Sequence, residues 1–316
     1  MPDATTAITA VFLFNHRYEQ NIEKLERLYG DRFTTRRYIM PFASRDDDQV
    51  ARVYETSWNF SGHIAQAARS IKVPGTSHYV FIADDLILNP KIDERNLLET
   101  LSVGRNDGYI KSIASIDTMR YHWWRALPET MNLDGRDPGF DWRSELPAAA
   151  DAQSKFEQLG VRFHMPSPRS AREWRWATTR FPRVVGAGAM LRHWRHRTSY
   201  PLIYGYSDFL VVPAAAMERF AHYCGVFAAL NCFAEVAVPT ALALACDTLV
   251  TELEPNEHFE EPAKRRPGIR LRGLELWGET AIGDFSRRFE QRFDRLTQDF
   301  PDDLLYVHPV KLSRFN

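Results

Sequence analysis

The order of apolar and amphipathic stretches near the amino terminus constrains the fold of this 316-residue chain more than any other feature. Apolar runs rich in strand-forming residues, which predict buried strands, span 7–14, 37–42 and 79–83. Between them, amphipathic stretches that predict helices span 19–29 and 59–71. This succession of strand, helix, strand, helix and strand predicts an α/β fold with a parallel sheet and helical crossovers.

The composition and charge of the chain favour a globular protein and argue against nucleic-acid binding. Hydrophobic residues make up 44% of the sequence, enough to bury a large core in one domain or in two small ones. The 40 basic residues are balanced by 41 acidic ones, so the chain lacks the excess positive charge that nucleic-acid binders use. We therefore expect no nucleic-acid partner.

The cysteines and the apolar segments predict a cytoplasmic location. Three cysteines without C-x-x-C spacing argue against a disulfide scaffold and fit a reducing compartment. The amino terminus has no basic region ahead of its apolar run, which argues against a signal peptide. The longest apolar region, 226–246, is interrupted by Asn231, Glu235 and Pro239, which argues against a transmembrane helix.

The middle and the end of the chain have a different pattern of apolar and aromatic residues from the beginning. Between 119 and 183, tryptophans and arginines crowd between prolines with little periodicity, which predicts an irregular insertion in the domain. Runs at 184–191 and 207–212 predict further strands, and Pro213 stands where a helix should begin. From 284 to 299, phenylalanines at helical spacing among arginines predict one helix that docks on the core.

Two adjacent carboxylates, Asp84 and Asp85, directly follow the third predicted strand. In parallel sheets, ligands bind outside the carboxyl ends of the strands, so these acids occupy a functional position. A divalent cation such as Mg²⁺ is often held by one or two carboxylates together with phosphate oxygens of a substrate. Such a cation acts as a Lewis acid on a departing diphosphate, as cleavage of a nucleotide-sugar requires. A helix cap or a turn is the alternative role of the pair.

The segment IADDLILNP around these acids resembles the metal-binding D-x-D or E-D-D motif of GT-A fold glycosyltransferases. The resemblance implies an α/β fold with a Rossmann-type mixed sheet flanked by helices. It also implies that Asp85, at the position of the last acid, binds the metal, and that Asp84 lies near the ribose or a metal-bound water. Ala83 stands where many members of the family have a third acid.

A second resemblance lies at the end of the chain, in LLYVHPVKL. Several GT-A enzymes use a histidine from a C-terminal strand or loop as a further metal ligand, with a nearby lysine or arginine on the diphosphate. The resemblance therefore implies His308 as a metal ligand and Lys311 as the partner of the diphosphate. Imidazole and carboxylate together suit Mn²⁺ or Mg²⁺, and an ammonium is an effective phosphate partner. A surface histidine near the terminus is the alternative.

A third segment, NCFAEVAVPTALALA, places Glu235 inside an otherwise apolar stretch. Burial of an unpaired carboxylate is costly, so Glu235 either pairs with an arginine or faces a cavity. The segment resembles the F-x-E-x-x-x-P-T pattern of bacterial members of this group, and in inverting GT-A enzymes such an acid is the general base. Asp208, in the preceding YPLIYGYSDFLVVP, is the alternative base or a ligand of the acceptor hydroxyl.

Three further residues have weaker signals. Asn15 and His16 follow the first predicted strand, where GT-A enzymes contact the nucleotide base and ribose; a role in the turn is the alternative for both. Trp194 precedes the acceptor-side segment, and an indole face complements the apolar face of a sugar. We expect Trp194 to stack on a sugar ring.

The resemblance implies a single domain over 1–316, with a nucleotide-binding half (1–118), the insertion (119–183) and an acceptor-binding half (184–316). It implies a hexosyl- or N-acetylhexosaminyltransferase of polysaccharide biosynthesis. The sugar would pass from a UDP-sugar to a hydroxyl of a glycan or glycolipid, with inversion and with Mn²⁺ or Mg²⁺ as cofactor. A glycolipid acceptor would bring the protein to the inner membrane as a peripheral protein.

Two other functions stay open at this point. A nucleotidyltransferase shares acidic metal ligands at strand ends, but it ordinarily needs a glycine-rich basic loop after the first strand, and NHRYEQNIEKL has no glycine. A glycan-binding scaffold could keep the fold without the chemistry, which Ala83 in place of a third acid suggests.

Overall fold

The computed structural model describes residues 7–116, 133–163, 198–257 and 264–315. In these ranges the strands are β1 (Ala7–Leu13), β2 (Thr35–Pro41), β3 (Val50–Val53), β4 (Thr76–Ala83), β5 (Ile87–Leu88), β6 (Asp107–Ile110), β7 (Ala114–Ser115), β8 (Ile203–Tyr204), β9 (Phe209–Pro213), β10 (Thr248–Thr251), β11 (Arg272–Glu275) and β12 (Leu304–His308). The helices are α1 (Gln20–Tyr29), α2 (Phe60–Ala67), α3 (Leu97–Thr100), α4 (Ala149–Gln158), α5 (Ala214–Ala229), α6 (Ala234–Ala245), α7 (Gly278–Arg288) and α8 (Phe293–Gln298). Short 3₁₀ turns lie at Ser57–Asn59, Leu133–Gly135 and Leu312–Arg314.

The main sheet has seven strands in the order β10-β6-β9-β4-β1-β2-β3. β4, β1, β2 and β3 run parallel, and so do β6 and β10, whereas β9 lies antiparallel between β4 and β6. A second sheet has the order β11-β12-β5, in which β12 runs parallel to β11 and antiparallel to β5. β7 and β8 form a short antiparallel pair.

These elements confirm the predicted fold class, an α/β fold with a mixed sheet flanked by helices. The predicted strands and helices at the amino terminus correspond to β1, α1, β2, α2 and β4, and β1 pairs in parallel with both β2 and β4. The sequence did not reveal β3, because it has only four residues and follows three consecutive aspartates that indicated a solvated loop.

The helix predicted over 284–299 was wrong as a single element. Glu290 and Gln291 adopt the left-handed backbone conformation, with φ of 54° and 56°, and they separate α7 from α8. The turn lets Phe285 and Phe289 of one segment and Phe293 of the other all reach the core. The spacing of the phenylalanines correctly predicted that they are buried, but it did not predict the break between α7 and α8.

Both faces of the main sheet are covered, which explains why its strands read as continuous apolar runs. Successive side chains of β1 point to opposite faces. Ala10 and Phe12 pack on the side of α1, α7 and α8, whereas Val11 and Leu13 pack on the side of α2, α5 and α6. The apolar stretch that argued against a membrane span forms α6, and no helix of the described residues is long and apolar enough to cross a membrane.

Some predictions fall outside the described residues. They include the strand at 184–191, Trp194 and most of the insertion predicted over 119–183. Of the insertion, 133–163 is described and contains a 3₁₀ turn and α4. Leu133, Trp142 and Phe156 from this part are buried in the core beside α6.

Candidate active site

The antiparallel strand β9 brings Asp208 to the edge of the sheet where β4 ends. Ile82 of β4 pairs with Phe209 of β9, so the residue before β9 lies beside the residues after β4. The carbonyl of Asp208 accepts the N–H of Ala83 at 2.8 Å. Asp208 and the Asp84-Asp85 pair, far apart in sequence, are therefore neighbours.

The small sheet brings the end of the chain back to the same place. Asp85 leads into β5, and β12 pairs antiparallel with β5 through Val307 and Ile87. His308, the last residue of β12, consequently returns to Asp85. The N–H of Val310 donates to the carbonyl of Asp85 at 2.6 Å and closes this connection.

Two carboxylates and one imidazole nitrogen converge at this edge. His308 Nε2 lies 3.3 Å from Asp85 Oδ1 and 3.5 Å from Asp208 Oδ1. Ligand atoms bound at about 2 Å around one Mg²⁺-type ion are separated by roughly 3 Å, so each of these two distances is close to that in a coordination shell. Among the described residues, Asp208, Glu275 and His308 offer ligand atoms that all lie within 4.8 Å of one another, and Asp85 adjoins this group through His308. Burial alone would lower the pKa of His308, but the charges of Asp208, Asp85 and Glu275 outweigh it and raise that pKa well above its usual value.

The residues present fit a hard divalent cation. Asp85 Oδ1 is buried and has no hydrogen bond among the described residues, although His308 Nε2 lies within ion-pair distance of it at 3.3 Å. A buried carboxylate oxygen without a hydrogen bond is costly, and a cation would offset that cost. Two carboxylates and an imidazole are also donors that Mn²⁺ and Mg²⁺ accept.

Glu275 holds the imidazole ring of His308 from the other side. β11 and β12 run in parallel with Glu275 opposite His308, and His308 Nδ1 donates to Glu275 Oε2 at 2.7 Å. Tyr306 donates to Glu275 Oε1 at 2.8 Å, and Lys111 Nζ lies 3.1 Å from the same oxygen. Burial would raise the pKa of Glu275, but Lys111 and His308 hold it at about 2. A carboxylate on Nδ1 leaves Nε2 for a metal, as in many metal sites.

Glu235 lies in the first turn of α6, and Ser207 fixes its side chain. The N–H and the hydroxyl of Ser207 both donate to Glu235 Oε2 at 3.0 Å. Because Pro239 has no N–H, the carbonyl of Glu235 has no helical donor, and it accepts the N–H of Gly205 at 3.1 Å instead. A Cβ at Gly205 would lie 2.0 Å from the carbonyl oxygen of Ser112, so only glycine fits this contact.

The surroundings of Glu235 decide between the two alternatives that its sequence left open. Within the described ranges no arginine pairs with this carboxyl, and its side chain lines a pocket of about 420 Å³. Burial and, after it, the charge of Asp208 raise the pKa of Glu235 well above its usual value. Glu235 thus faces a cavity. The pocket is also lined by Asn15, Ser57, Phe60, Asp85, Tyr206, Ser207, Asp208, Phe233, Glu275, Trp277 and His308.

Three predicted site residues lie around this pocket and do not line it. Asp84 is only 4% exposed and accepts a long hydrogen bond from Asn21 at 3.5 Å; burial, and then Asp85, raise its pKa to about 7. His16 is exposed, with its ring against Tyr18. Lys311 pairs with an exposed glutamate of α7. Asn15, Asp85, Asp208, Glu235 and His308 are the predicted residues that the structure brings to one pocket.

The sequence did not single out Glu275, Ser207 or Lys111. Glu275 stands in RLRGLELWG, where an acid in a short strand-like run was the available signal. Its importance comes from the pairing of β11 with β12, which local sequence does not predict. Ser207 was part of a predicted strand, and its contact with Glu235 depends on the position of α6.

The buried acids at and near the site make stability depend on pH. Burial raises the pKa of Asp84 to about 7, that of Asp208 to about 6 and that of Glu252 to about 7. Each acid has an ordinary pKa in the unfolded protein and a raised pKa in the folded protein. Between these two values the folded protein binds more protons, so its stability falls as pH rises through this range. The raised pKa of His308 acts in the same direction. We expect metal-free protein to lose on the order of 1–3 kcal/mol per such carboxyl between about pH 5 and about pH 8, least for Asp208.

Thermal unfolding with and without Mn²⁺ measures this dependence. Metal-free protein should melt several degrees lower at about pH 8 than at about pH 5, and Mn²⁺ should raise the melting temperature more at the higher pH, since protons compete with the metal. Glu275, with its pKa of about 2, does not titrate in this range. A melting temperature that rises from the lower to the higher pH, with no effect of Mn²⁺, would contradict the expectation.

Comparison with known proteins adds a distant structural likeness. No protein-family model matches the chain, and no curated protein matches it. Among solved structures it is similar to the X-ray structure of the mannosyltransferase Ktr4p from S. cerevisiae, with a TM-score of 0.34 and 11% sequence identity over 81% of this chain and 69% of that chain. A likeness at this TM-score does not bear on activity, and the fold class rests on the sheets described above.

Proposed function

We propose that the protein is a metal-dependent glycosyltransferase that moves a sugar from a nucleoside-diphosphate sugar to a hydroxyl of a glycan or glycolipid. The proposed donor is a UDP-sugar. One observation carries the proposal: His308 Nε2 lies 3.3 Å from Asp85 Oδ1 and 3.5 Å from Asp208 Oδ1, at the wall of a pocket that Glu235 also lines. A cation centre and a separate carboxyl beside one cavity are the two parts that metal-assisted transfer to a hydroxyl requires.

Asp85, Asp208 and His308 would hold Mn²⁺ or Mg²⁺. The cation, when bound, would act as a Lewis acid on the diphosphate, so the leaving group would need no proton. Asp85 and Asp208 would neutralise part of its charge and leave the rest for the phosphate oxygens. Glu275 would keep the ring of His308 in place through Nδ1.

Asp208 fits a metal ligand better than it fits the alternative base. Its Oδ1 points to His308 Nε2, and its position before β9 fixes it beside the acids after β4. Glu235, in contrast, is held by Ser207 at the start of α6. The two acids therefore have separate places in one pocket, which supports a role beside the cation for Asp208 and a role beside the acceptor for Glu235.

Glu235 would take the proton of the acceptor hydroxyl. The acceptor oxygen would form a bond to the anomeric carbon as the bond from that carbon to the diphosphate breaks, and the proton would pass to Glu235. A single displacement of this kind inverts the anomeric centre. The raised pKa of Glu235 makes it a stronger base than an ordinary carboxylate, and a cation nearby would bring that pKa down toward the working range.

The donor-side residues extend the proposal. Asn15 lines the pocket at the end of β1 and would contact the nucleotide, with His16 and Asp84 near it. Lys311 would move from its ion pair with Glu279 to the diphosphate. A glycolipid acceptor would require peripheral association with a membrane.

A panel of nucleotide-sugars tests the proposal directly. Purified protein is incubated with each donor, with Mn²⁺, Mg²⁺ or a chelator, and release of the nucleoside diphosphate is measured. We expect slow hydrolysis of one donor, faster with metal than with chelator. Hydrolysis of none of them, or hydrolysis that the chelator does not affect, would argue against the proposal. Release of pyrophosphate from a nucleoside triphosphate and a sugar phosphate would instead indicate a nucleotidyltransferase.

A further inference from the structure

We propose that Lys111 is a positioning residue of the metal centre, which acts on His308 through Glu275. The inference rests on the cation site of the proposed function. It adds a residue that follows β6 of the main sheet, does not itself line the pocket, and reaches the site through Glu275.

The ammonium group of Lys111 is buried and fixed from several directions. Its side chain is 6% exposed, and Nζ donates to the carbonyl of Gly273 at 2.9 Å and to Glu275 Oε1 at 3.1 Å. The rings of Tyr206 and Tyr306 lie 5.2 Å and 5.5 Å from Nζ, within cation–π range. A buried lysine is costly unless it is paired in this way, so the ammonium has one well-defined position.

Lys111 joins the two sheets at the point where the metal centre is assembled. It follows β6 of the main sheet, whereas Gly273 and Glu275 belong to β11 of the small sheet. Glu252, which follows β10, accepts the N–H of Gly273 at 2.9 Å. Gly273 is thus held at its carbonyl by Lys111 and at its N–H by Glu252.

Close packing around β11 restricts this strand to one position against β12. A Cβ on Gly273 would lie 2.3 Å from the ring of Tyr306, so the glycine lets β11 approach that ring closely. Tyr306 in turn donates to Glu275, and Glu275 lies opposite His308 in the pairing of β11 with β12. Displacement of β11 would therefore displace the imidazole that faces Asp85 and Asp208.

The two carboxylate oxygens of Glu275 have different hydrogen-bond partners. Oε1 accepts hydrogen bonds from Lys111 and Tyr306, and Oε2 accepts one from His308 Nδ1. Lys111 supplies the positive charge that balances Glu275, which is also buried. Without that charge, the buried carboxylate would have only the imidazole and the phenol as partners. Its hold on the ring would then change, and with it the direction of Nε2.

Mn²⁺ binding tests this inference without any substrate. Free Mn²⁺ is followed by electron paramagnetic resonance in titrations of the wild type, Lys111→Met, Glu275→Gln and the double variant. We expect Lys111→Met to weaken Mn²⁺ binding roughly tenfold and Glu275→Gln roughly ten- to a hundredfold. Because Lys111 acts through Glu275, the double variant should bind Mn²⁺ no more weakly than Glu275→Gln alone.

Lys155→Met is the matched control. Lys155 is a half-buried lysine that donates to the carbonyl of Leu244, away from the pocket, so its loss should leave Mn²⁺ affinity unchanged. If Lys111→Met does not fold, Lys111→Gln removes the charge and keeps a donor for Gly273; the same weakening is expected.

The results separate this inference from the proposed function. Wild-type affinity in the folded Lys111 variant, or losses that multiply in the double variant, would overturn the role of Lys111 and leave the metal centre intact. A wild-type protein that binds no Mn²⁺ would overturn the metal centre itself.

Discussion

Replacement of Asp85 by asparagine is expected to lower the rate of sugar transfer by at least about a hundredfold. The change keeps the size of the side chain but removes the charge that would hold the cation, and it places an amide group toward His308 Nε2. The backbone contact of Asp85 with Val310 does not involve the side chain and should persist. The measurement is the initial rate of transfer as a function of Mn²⁺ concentration, in which Asp85→Asn should need far more metal.

Two controls show that a loss of transfer reflects the cation site. Asp302→Asn makes the same chemical change at an exposed aspartate that pairs with Lys91, and it should transfer sugar at the wild-type rate. Metal-free Asp85→Asn should still fold, because the change keeps the shape of the side chain and removes both a repulsion of Asp84 and an attraction to His308; circular dichroism checks this. Full activity in Asp85→Asn would remove Asp85 from the metal centre.

Replacement of Glu235 by glutamine is expected to lower transfer to the acceptor by at least about a hundredfold as well, for a different reason. The amide keeps the shape of the side chain and an oxygen for the donors of Ser207, but it cannot accept the proton of the acceptor hydroxyl. The ligands Asp85, Asp208 and His308 are untouched. The turnover number for transfer should therefore fall while the binding of Mn²⁺ and UDP stays at the wild-type level.

The pH dependence of transfer gives an independent view of Glu235. A base must be ionised, so the rate should rise with pH through the raised pKa of this carboxyl, at a higher pH than an ordinary glutamate would give. Glu218→Gln, a change at an exposed glutamate of α5, should keep both the rate and the profile. Transfer by Glu235→Gln at the wild-type rate would assign the proton to another residue. An equal loss of Mn²⁺ and UDP binding would make Glu235 a donor-side group.

The amino-terminal half of the fold follows from local patterns, and the structure shows why. β1 and the carboxyl-terminal parts of β2 and β4 are buried on both faces, so these parts are mainly apolar and the runs are visible in sequence. α1 has a clear apolar face, because only one side of it packs on the sheet. The position of Asp85 at the edge of the sheet follows from the end of β4 alone.

The assembly of the candidate site could be predicted only in part. The convergence of Asp85 and His308 depends on β12 returning to pair with β5, a contact between distant segments that only the family resemblance suggested. The place of Asp208 depends on β9 running antiparallel, since this puts the start of the strand, not its end, at the edge with Asp85. The positions of Glu275 and Lys111 depend on the pairing of β11 with β12 and on the hydrogen bond of Lys111 to Gly273 between the two sheets. Local sequence carries no signal for either contact.

The position of the cation is the most direct test of the account. Crystals grown with UDP and Mn²⁺ are measured for the anomalous scattering of manganese. The account predicts one peak at the pocket, about 2 Å from carboxylate oxygens of Asp85 and Asp208 and from His308 Nε2, with diphosphate oxygens completing the shell. Manganese at another place, or UDP bound in the pocket with none of these side chains on a metal, would contradict it.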